Sequence, residues 1–212
     1  KINSMLSTFS EMNVVGVFYP SAFLSYSKFS RKIKHFLSHL NNFQIVYETD
    51  GNNYIRKFAD ETQLSQLPKQ IHCWKESPLT HAVVFDDKDT HSSLSAALES
   101  NQIICRKVFV GITTVINIKK TPEYLGIKST PSFEYIGRGS YWGNPYSILE
   151  KGQNRAEVIR KYKYDFDHDL FPNKKKNELH KLVGKKLGCF CKPEACHGDI
   201  LAEYLNGYDD GK

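Results

Sequence analysis

Apolar positions fall into short continuous runs that alternate with stretches where they recur every three or four residues. Residues 14–19 (Val-Val-Gly-Val-Phe-Tyr) form an apolar run that predicts a buried strand, broken by Pro20-Ser21. Phe29, Ile33, Phe36, Leu37 and Leu40 then follow helical spacing. Residues 44–47 predict a second strand, closed by the turn signal Asp50-Gly51-Asn52. Residues 53–62 predict a short helix with Tyr54, Phe58 and Ala59 on one side. Residues 82–85 are continuously apolar and end in Asp86-Asp87. A helix over 92–100, with Leu94, Ala97 and Leu98 inward, and a strand over 102–110 complete this part. Strands alternating with helices predict βαβ units and a mainly parallel, Rossmann-like sheet over residues 1–110, behind a polar leader at 1–12.

The pattern changes near residue 110. A strand over 115–118 ends at Lys119-Lys120-Thr121-Pro122, and Pro122, Gly126 and Pro131 punctuate a loop. A strand over 133–136 runs into Gly137-Arg138-Gly139-Ser140 and the rigid turn Trp142-Gly143-Asn144-Pro145. A helix over 155–166 carries Ala156, Val158, Ile159, Tyr162 and Phe166 on one stripe. A helix over 177–183, a strand over 187–191 and a helix over 198–205 close the chain. Residues 111–212 therefore predict a second, small α/β domain, which makes the whole an α/β protein of two domains.

Composition adds constraints. Of 212 residues, 40% are apolar and 25% charged, enough to bury a core and unlike a disordered chain. The formal net charge of +6 favours an anionic partner, nucleic acid or a nucleotide. Five cysteines, three of them crowded together, suit reduced thiols rather than a disulfide framework. The sequence lacks an apolar run of transmembrane length and a signal-peptide pattern. A cytoplasmic protein without a membrane partner is expected, in the host cytoplasm if phage-encoded.

The chemistry concentrates at Cys189-Phe190-Cys191-Lys192-Pro193-Glu194-Ala195-Cys196-His197, between a predicted strand and a predicted helix. Two readings compete. Cys189, Cys191, Cys196 and His197 are ligand types that suit zinc, although all four in one turn is tight for four-point coordination. Alternatively Cys196, at a helix N-terminus beside His197, is an activated thiol, with His197 as general acid or base and Asp199 as cap or as orienter of the imidazole. In that reading Cys189 packs as a small hydrophobe. The second candidate site is residues 137–145. Arg138 and Ser140 suit phosphate, Gly139 allows close approach, Trp142 offers a stacking face and Asn144 an amide. Arg155 opens a helix where a cation is locally unfavourable, which hints at an anionic partner. Lys174, Lys175, Lys176, Lys181, Lys185 and Lys186 suggest a basic patch that tracks a nucleic-acid backbone. Asp86 and Asp87 stand where ligands bind in open α/β sheets, or cap the next helix.

The segments around Gly137–Pro145, residues 154–162 and residues 182–206 resemble the DUF4326 family, through the motifs GR-x-S-x-W-G-N-P and C-x-C-x-P-x-x-C-H-x-D. The resemblance spans roughly residues 113–206. It places the family's motif positions on Arg138, Ser140, Trp142, Asn144, Pro145, Arg155, Cys189, Cys191, Cys196, His197 and Asp199, and implies a compact α/β domain, common in phages and bacteria, without a settled activity. The first half is similar to SLOG-type Rossmann-like nucleotide-binding domains. It departs from them where Gly16-Val17-Phe18-Tyr19-Pro20-Ser21 replaces a Gly-Ser-Arg and where Asp50-Gly51 replaces a glycine-rich turn, so a scaffold or partner-binding role is expected for it. Three functions follow. One is a phage-type hydrolase of nucleic acid or nucleotides, cleaving a phosphodiester or glycosidic bond. Another is a binding protein that sequesters a nucleotide or inhibits a host protein. The third is a zinc-stabilised interaction domain.

Overall fold

The computed structural model describes residues 12–171 and 174–211. The leader expected over residues 1–12 lies outside them, Met12 excepted. The chain divides into two compact units, one built on Tyr26–Phe109 and the other on Val110–Tyr208. The first also takes the segment up to Ser21 and that from Asp209, and the second takes Ala22–Ser25.

The first unit is a five-stranded sheet of order β3-β2-β1-β4-β5, parallel throughout. Its strands are β1 (Asn13–Phe18), β2 (Phe43–Tyr47), β3 (Lys69–Gln70), β4 (His81–Asp86) and β5 (Ile104–Phe109). Its helices are α1 (Tyr26–Leu37), α2 (Tyr54–Thr62) and α3 (Leu94–Ser100). β1 and β4 are inner strands, and Val15, Val17 and residues 82–85 of β4 are almost fully buried. A strand covered on both faces needs no polar alternation, which is why these runs read as continuously apolar. β5 is an edge strand, and its Arg106 and Lys107 are the kind of charge that blocks further pairing. α1 buries Phe29, Ile33 and Leu37, one position per turn.

Three carboxylates settle what the strand ends do. Asp50 accepts hydrogen bonds from the backbone N–H of Ile55 (3.0 Å) and Arg56 (3.2 Å) and from the hydroxyl of Tyr19 (2.5 Å). The N-terminus of α2, an anion-seeking position, is thus occupied by the chain's own carboxylate. Asp86 accepts from the Lys88 N–H (2.7 Å) and pairs with Lys107 (2.8 Å), and Asp87 accepts from the N–H groups of Asp89 and His91. Asp86 and Asp87 thus hold the turn after β4 and do not cap α3, whose N-cap position is Ser93.

The second unit is a three-stranded parallel sheet of order β6-β8-β7, from β6 (Thr114–Asn117), β7 (Phe133–Tyr135) and β8 (Lys186–Cys189). α4 (Arg155–Asp167) and α5 (His197–Gly207) accompany it. Their core joins Ile136, Trp142, Tyr162, Phe166, Leu187 and Leu201. Asn154 caps α4 by accepting from the Glu157 N–H at 2.9 Å. The C-terminal end of α5 is tied to the chain before β6, where Asn206 both donates to and accepts from the Thr113 backbone.

Three expectations need correction. The segment read as a helix over 177–183 is a 3₁₀ turn, Lys176–Leu182. Its buried residues Leu179 and Leu182 are three apart, a spacing that eclipses on a three-residue turn. The last strand stops at Cys189 rather than 191, because the Asn117 side chain donates to the carbonyls of Phe190 and Lys192 and bends the chain away. α3 starts at Leu94 rather than Ser92, since Asp87 holds the preceding residues in a turn. β3 was not anticipated. Among the described residues, no helix is long and apolar enough to cross a membrane.

Asp86 yields a stability prediction. Burial pushes its carboxyl pKa up, but the Lys107 ammonium and the Lys88 N–H outweigh that and leave it lowered. A lowered folded-state pKa stabilises the fold above the unfolded value of about 4 and loses that effect as pH falls through the folded one. Asp86→Asn is expected to cost roughly 1–2 kcal/mol at pH 7, read as a lower urea midpoint, with the two proteins converging below pH 3 or so. Equal midpoints at pH 7 would contradict this role.

Candidate functional site

The candidate site grows from three chain segments of the second unit. After β7 the chain enters the loop Gly137–Pro145. Ser140 closes its first turn, its N–H and its hydroxyl both donating to the Gly137 carbonyl (3.1 and 2.7 Å). Gly139 takes a left-handed φ of 81°, which its lack of a side chain makes cheap. Gly143 returns so close to Gly137 that a Cβ there would stand 2.4 Å from the Gly137 carbonyl oxygen. Asn144 donates from Nδ2 to the Val158 carbonyl of α4 (3.0 Å) and accepts from the Tyr146 N–H (2.9 Å).

The second segment is the start of α4. Arg155 donates to the Ala195 carbonyl at 3.3 Å. The cation that looked misplaced at a helix start is thereby anchored to the cysteine turn.

The third segment runs from Cys189 to the start of α5. Cys196 is the N-cap of α5, its Sγ accepting from the Gly198 N–H at 3.4 Å, while its own N–H donates to Asp199 at 2.9 Å. Asp199 also pairs with Lys192 at 2.6 Å. His197 is buried, and its Nε2 lies 2.9 Å from the Ile136 carbonyl. A carbonyl only accepts, so Nε2 carries the hydrogen and Nδ1 the lone pair, which faces Cys196 Sγ at 3.6 Å.

These segments enclose a cavity of about 270 Å³. Arg138, Asn144, Arg155, Cys189, Cys191, Cys196 and His197 all line it, so seven sequence-predicted site residues converge. Tyr146, Ile148, Val158 and Ile159 line it too. Tyr146 follows the Asn-Pro turn directly, a position that could have drawn attention to it; its hydroxyl donates to Asp165 at 2.5 Å.

The remaining candidates do other work. Trp142 is 5% exposed, belongs to the core, and its carbonyl accepts from the Tyr162 hydroxyl; it offers no stacking face. The Ser140 hydroxyl serves the loop. Gly139 and Ser140 border a separate hollow of about 500 Å³, which shares Arg138, Asn144 and Tyr146 with the first. Asp199 lies outside the cavity lining and is spent on the capping box and Lys192, so it caps rather than orients the imidazole. The expected basic patch is largely consumed by the fold. The Lys174 ammonium donates to the Gly143 carbonyl and lies 4.3 Å from the Phe171 ring centre, Lys176 donates to the Phe166 carbonyl, and Lys185 pairs with Glu134.

The electrostatics revise the roles expected of the thiols and the imidazole. Burial pulls His197 down to about 4, so it is neutral at pH 7 and lends no positive charge to a neighbour. The Cys196 thiol is pushed far up, by its hydrogen bond to Cys189 and by burial. Cys189 moves the other way, to about 6, because Cys196 donates to it and the amides of Cys191 and Phe190 assist, against burial. Cys189, Cys191 and Cys196 bring their sulfurs within 4.8 Å of one another, with Cys189 and Cys191 at 3.5 Å. His197 stands outside that cluster, so the four-ligand set reduces to three thiols.

The loop geometry sets a ranking. Gly143→Ala drives a methyl group into backbone and is expected to destabilise the unit by about 1–3 kcal/mol. Gly139→Ala meets open space and costs about 1 kcal/mol of backbone strain. Chemical denaturation of both variants checks the order, and a costlier Gly139→Ala would refute the close approach.

Comparison with known proteins agrees with both resemblances. Residues 12–116 match the family of the minimal SLOG domain, and residues 116–207 match the family described as a domain of unknown function, DUF4326. The chain is similar to an uncharacterized 12.4 kDa protein from the nrdA-td intergenic region of Enterobacteria phage T4, at 42% identity over 72 residues. That match covers 34% of this chain and 65% of the phage protein's length. No solved structure matches the chain. The chain thus carries a minimal SLOG domain followed by a domain of the DUF4326 family.

Proposed function

We propose that the DUF4326 domain takes a phosphorylated ligand of the nucleotide class into the thiol and arginine cavity and hydrolyses it. The observation that carries this reading is the convergence of Arg138 and Arg155, from separate segments, on one cavity with Cys189, Cys191, Cys196 and His197. Arginine is the side chain best matched to phosphate, through its planar fork of donors. A volume of about 270 Å³ suits a single nucleotide or part of one rather than a polymer. The diversion of Lys174, Lys176 and Lys185 into the fold also weighs against a nucleic-acid track. The basic excess of +6 favours any such anion reaching the protein.

In the proposed reaction a water molecule supplies hydroxide to one fragment and its proton to the other. His197, neutral and unprotonated at Nδ1, lines the cavity and would take one proton from the attacking water and return it to the leaving fragment; a base near 4 does so only weakly at pH 7. That weak basicity favours a second reading, in which the same cavity binds and sequesters its ligand without turnover.

A panel of nucleotides and nucleotide sugars, followed by equilibrium dialysis and by product analysis, separates the two. At least one ligand is expected to bind. Arg138→Ala and Arg155→Ala are each expected to weaken it tenfold or more, equivalent to the roughly 1.5–3 kcal/mol of a charge-assisted hydrogen bond. Arg155→Lys is expected to restore only part of the loss. Release of product that His197→Gln slows, with binding unchanged, identifies the hydrolase; tight binding without product identifies the sequestering protein. Affinities indifferent to both arginines would overturn the ligand reading itself.

A further inference from the structure

We propose that Cys189, Cys191 and Cys196 hold one thiophilic divalent cation, zinc foremost, whose fourth coordination position opens into the cavity lined by Arg138 and Arg155.

The sulfurs are nearly in place for it. A tetrahedral zinc with Zn–S bonds of about 2.3 Å sets its sulfurs about 3.8 Å apart. Here all three lie within 4.8 Å of one another and the closest pair is at 3.5 Å. That separation is far beyond a disulfide bond of about 2.05 Å, and all three cysteines are free. Cys189 and Cys196 are buried, and Cys191 is half-buried. Thiols are weak donors and weak acceptors, so three of them gathered together gain little from one another. A cation among them gives each sulfur a strong partner.

The surroundings fit metal-bound thiolates. The Gly198 N–H donates to Cys196 Sγ at 3.4 Å. Such N–H groups hold sulfur ligands in orientation and share their negative charge. Cys196 also sits at the N-terminus of the eleven-residue helix α5, where negative charge is favoured. The charge balance closes locally. Three thiolates and a divalent cation sum to minus one, and two arginines, Arg138 and the Arg155 that is tied to the cysteine turn at the Ala195 carbonyl, line the same cavity, enough positive charge to offset it and still face an incoming anion.

The site has three protein ligands. His197 turns Nε2 to the Ile136 carbonyl and stands outside the sulfur cluster. Closed four-ligand zinc sites are structural, whereas three protein ligands leave a position for water or substrate. All three cysteines line the cavity, so that position faces the ligand pocket. A water or ligand oxygen there would be polarised by the cation, which supplies the activation that a neutral, weakly basic His197 does not. This catalytic consequence rests on the proposed ligand pocket; the metal site itself does not.

The test uses the full chain, loaded with zinc in excess, desalted and analysed for metal by mass spectrometry, and in parallel loaded with cobalt. The expected result is one zinc per chain, and a cobalt spectrum with tetrahedral d–d bands and strong sulfur-to-metal charge transfer. Cys189→Ser, Cys191→Ser and Cys196→Ser are each expected to lose metal, while Cys73→Ser, Cys105→Ser and His197→Gln retain it. Circular dichroism of each variant confirms folding, and the wild-type cobalt spectrum decides the matter should a variant unfold. A chain that retains no metal, or cobalt without thiolate charge transfer, would overturn the inference. Addition of inorganic phosphate then separates the two proposals. Metal with unmoved d–d bands keeps the metal site and removes the anion from its open position. Arginine-dependent nucleotide binding by a metal-free chain keeps the pocket and removes the metal.

Discussion

The hydrogen bond from His197 Nε2 to the Ile136 carbonyl holds the candidate site together. It joins residues 61 apart in sequence, fastening the first residue of α5 to the end of the β7 strand. Two of the three segments that line the cavity meet at those two points, and α4 supplies the third. The loop that carries Arg138 and Asn144 leaves Ile136, and the turn that carries the cysteines ends at His197. The bond also fixes the tautomer, so the imidazole presents a lone pair to Cys196. Burial lowers its pKa and keeps it neutral at pH 7. A histidine that from its neighbours alone reads as a catalytic acid or base is first a buried fastener.

The same economy runs through both units. Polar groups that look available in the sequence are spent on the backbone. Asp50 fills the N-terminus of α2, Asp86 and Asp87 hold the turn after β4, and Asp199 closes the capping box of α5. Lys174 and Lys176 satisfy carbonyls at Gly143 and Phe166. What remains for chemistry is a short set: two arginines, three sulfurs, one imidazole and the Asn144–Tyr146 corner. In the minimal SLOG domain, Asp50 takes the place an anion would claim at the N-terminus of α2.

Much of the fold was legible because buried parallel strands are apolar without alternation and helices repeat near every fourth residue. Val15, Val17 and residues 82–85 announced inner strands, and Phe29, Ile33 and Leu37 announced α1. β3 is two residues long and exposed, too short to leave a period. The 3₁₀ turn at Lys176–Leu182 buries leucines three apart, a spacing that helices of either kind share. In the site, the convergence of Arg138, Arg155 and the cysteine turn was legible as one motif set. The fates of Ser140, Trp142 and Asp199 were not. Each side chain suits both a ligand and a local turn, cap or core, and only the fold decides between them. The grouping of Cys189, Cys191 and Cys196 without His197 was hidden for a related reason, since His197 is adjacent to Cys196 in sequence and only the fold turns its Nε2 to the Ile136 carbonyl.

The central claim is that one cavity gathers a thiol floor and two arginines around an anionic ligand. The most direct measurement is a crystal structure of the full chain grown with a nucleoside monophosphate and zinc, with diffraction recorded on both sides of the zinc absorption edge. The account predicts an anomalous peak among the sulfurs of Cys189, Cys191 and Cys196, and phosphate oxygens within hydrogen-bond reach of Arg138 and Arg155. A ligand bound elsewhere on the chain, with Cys189 and Cys191 joined as a disulfide, would contradict it.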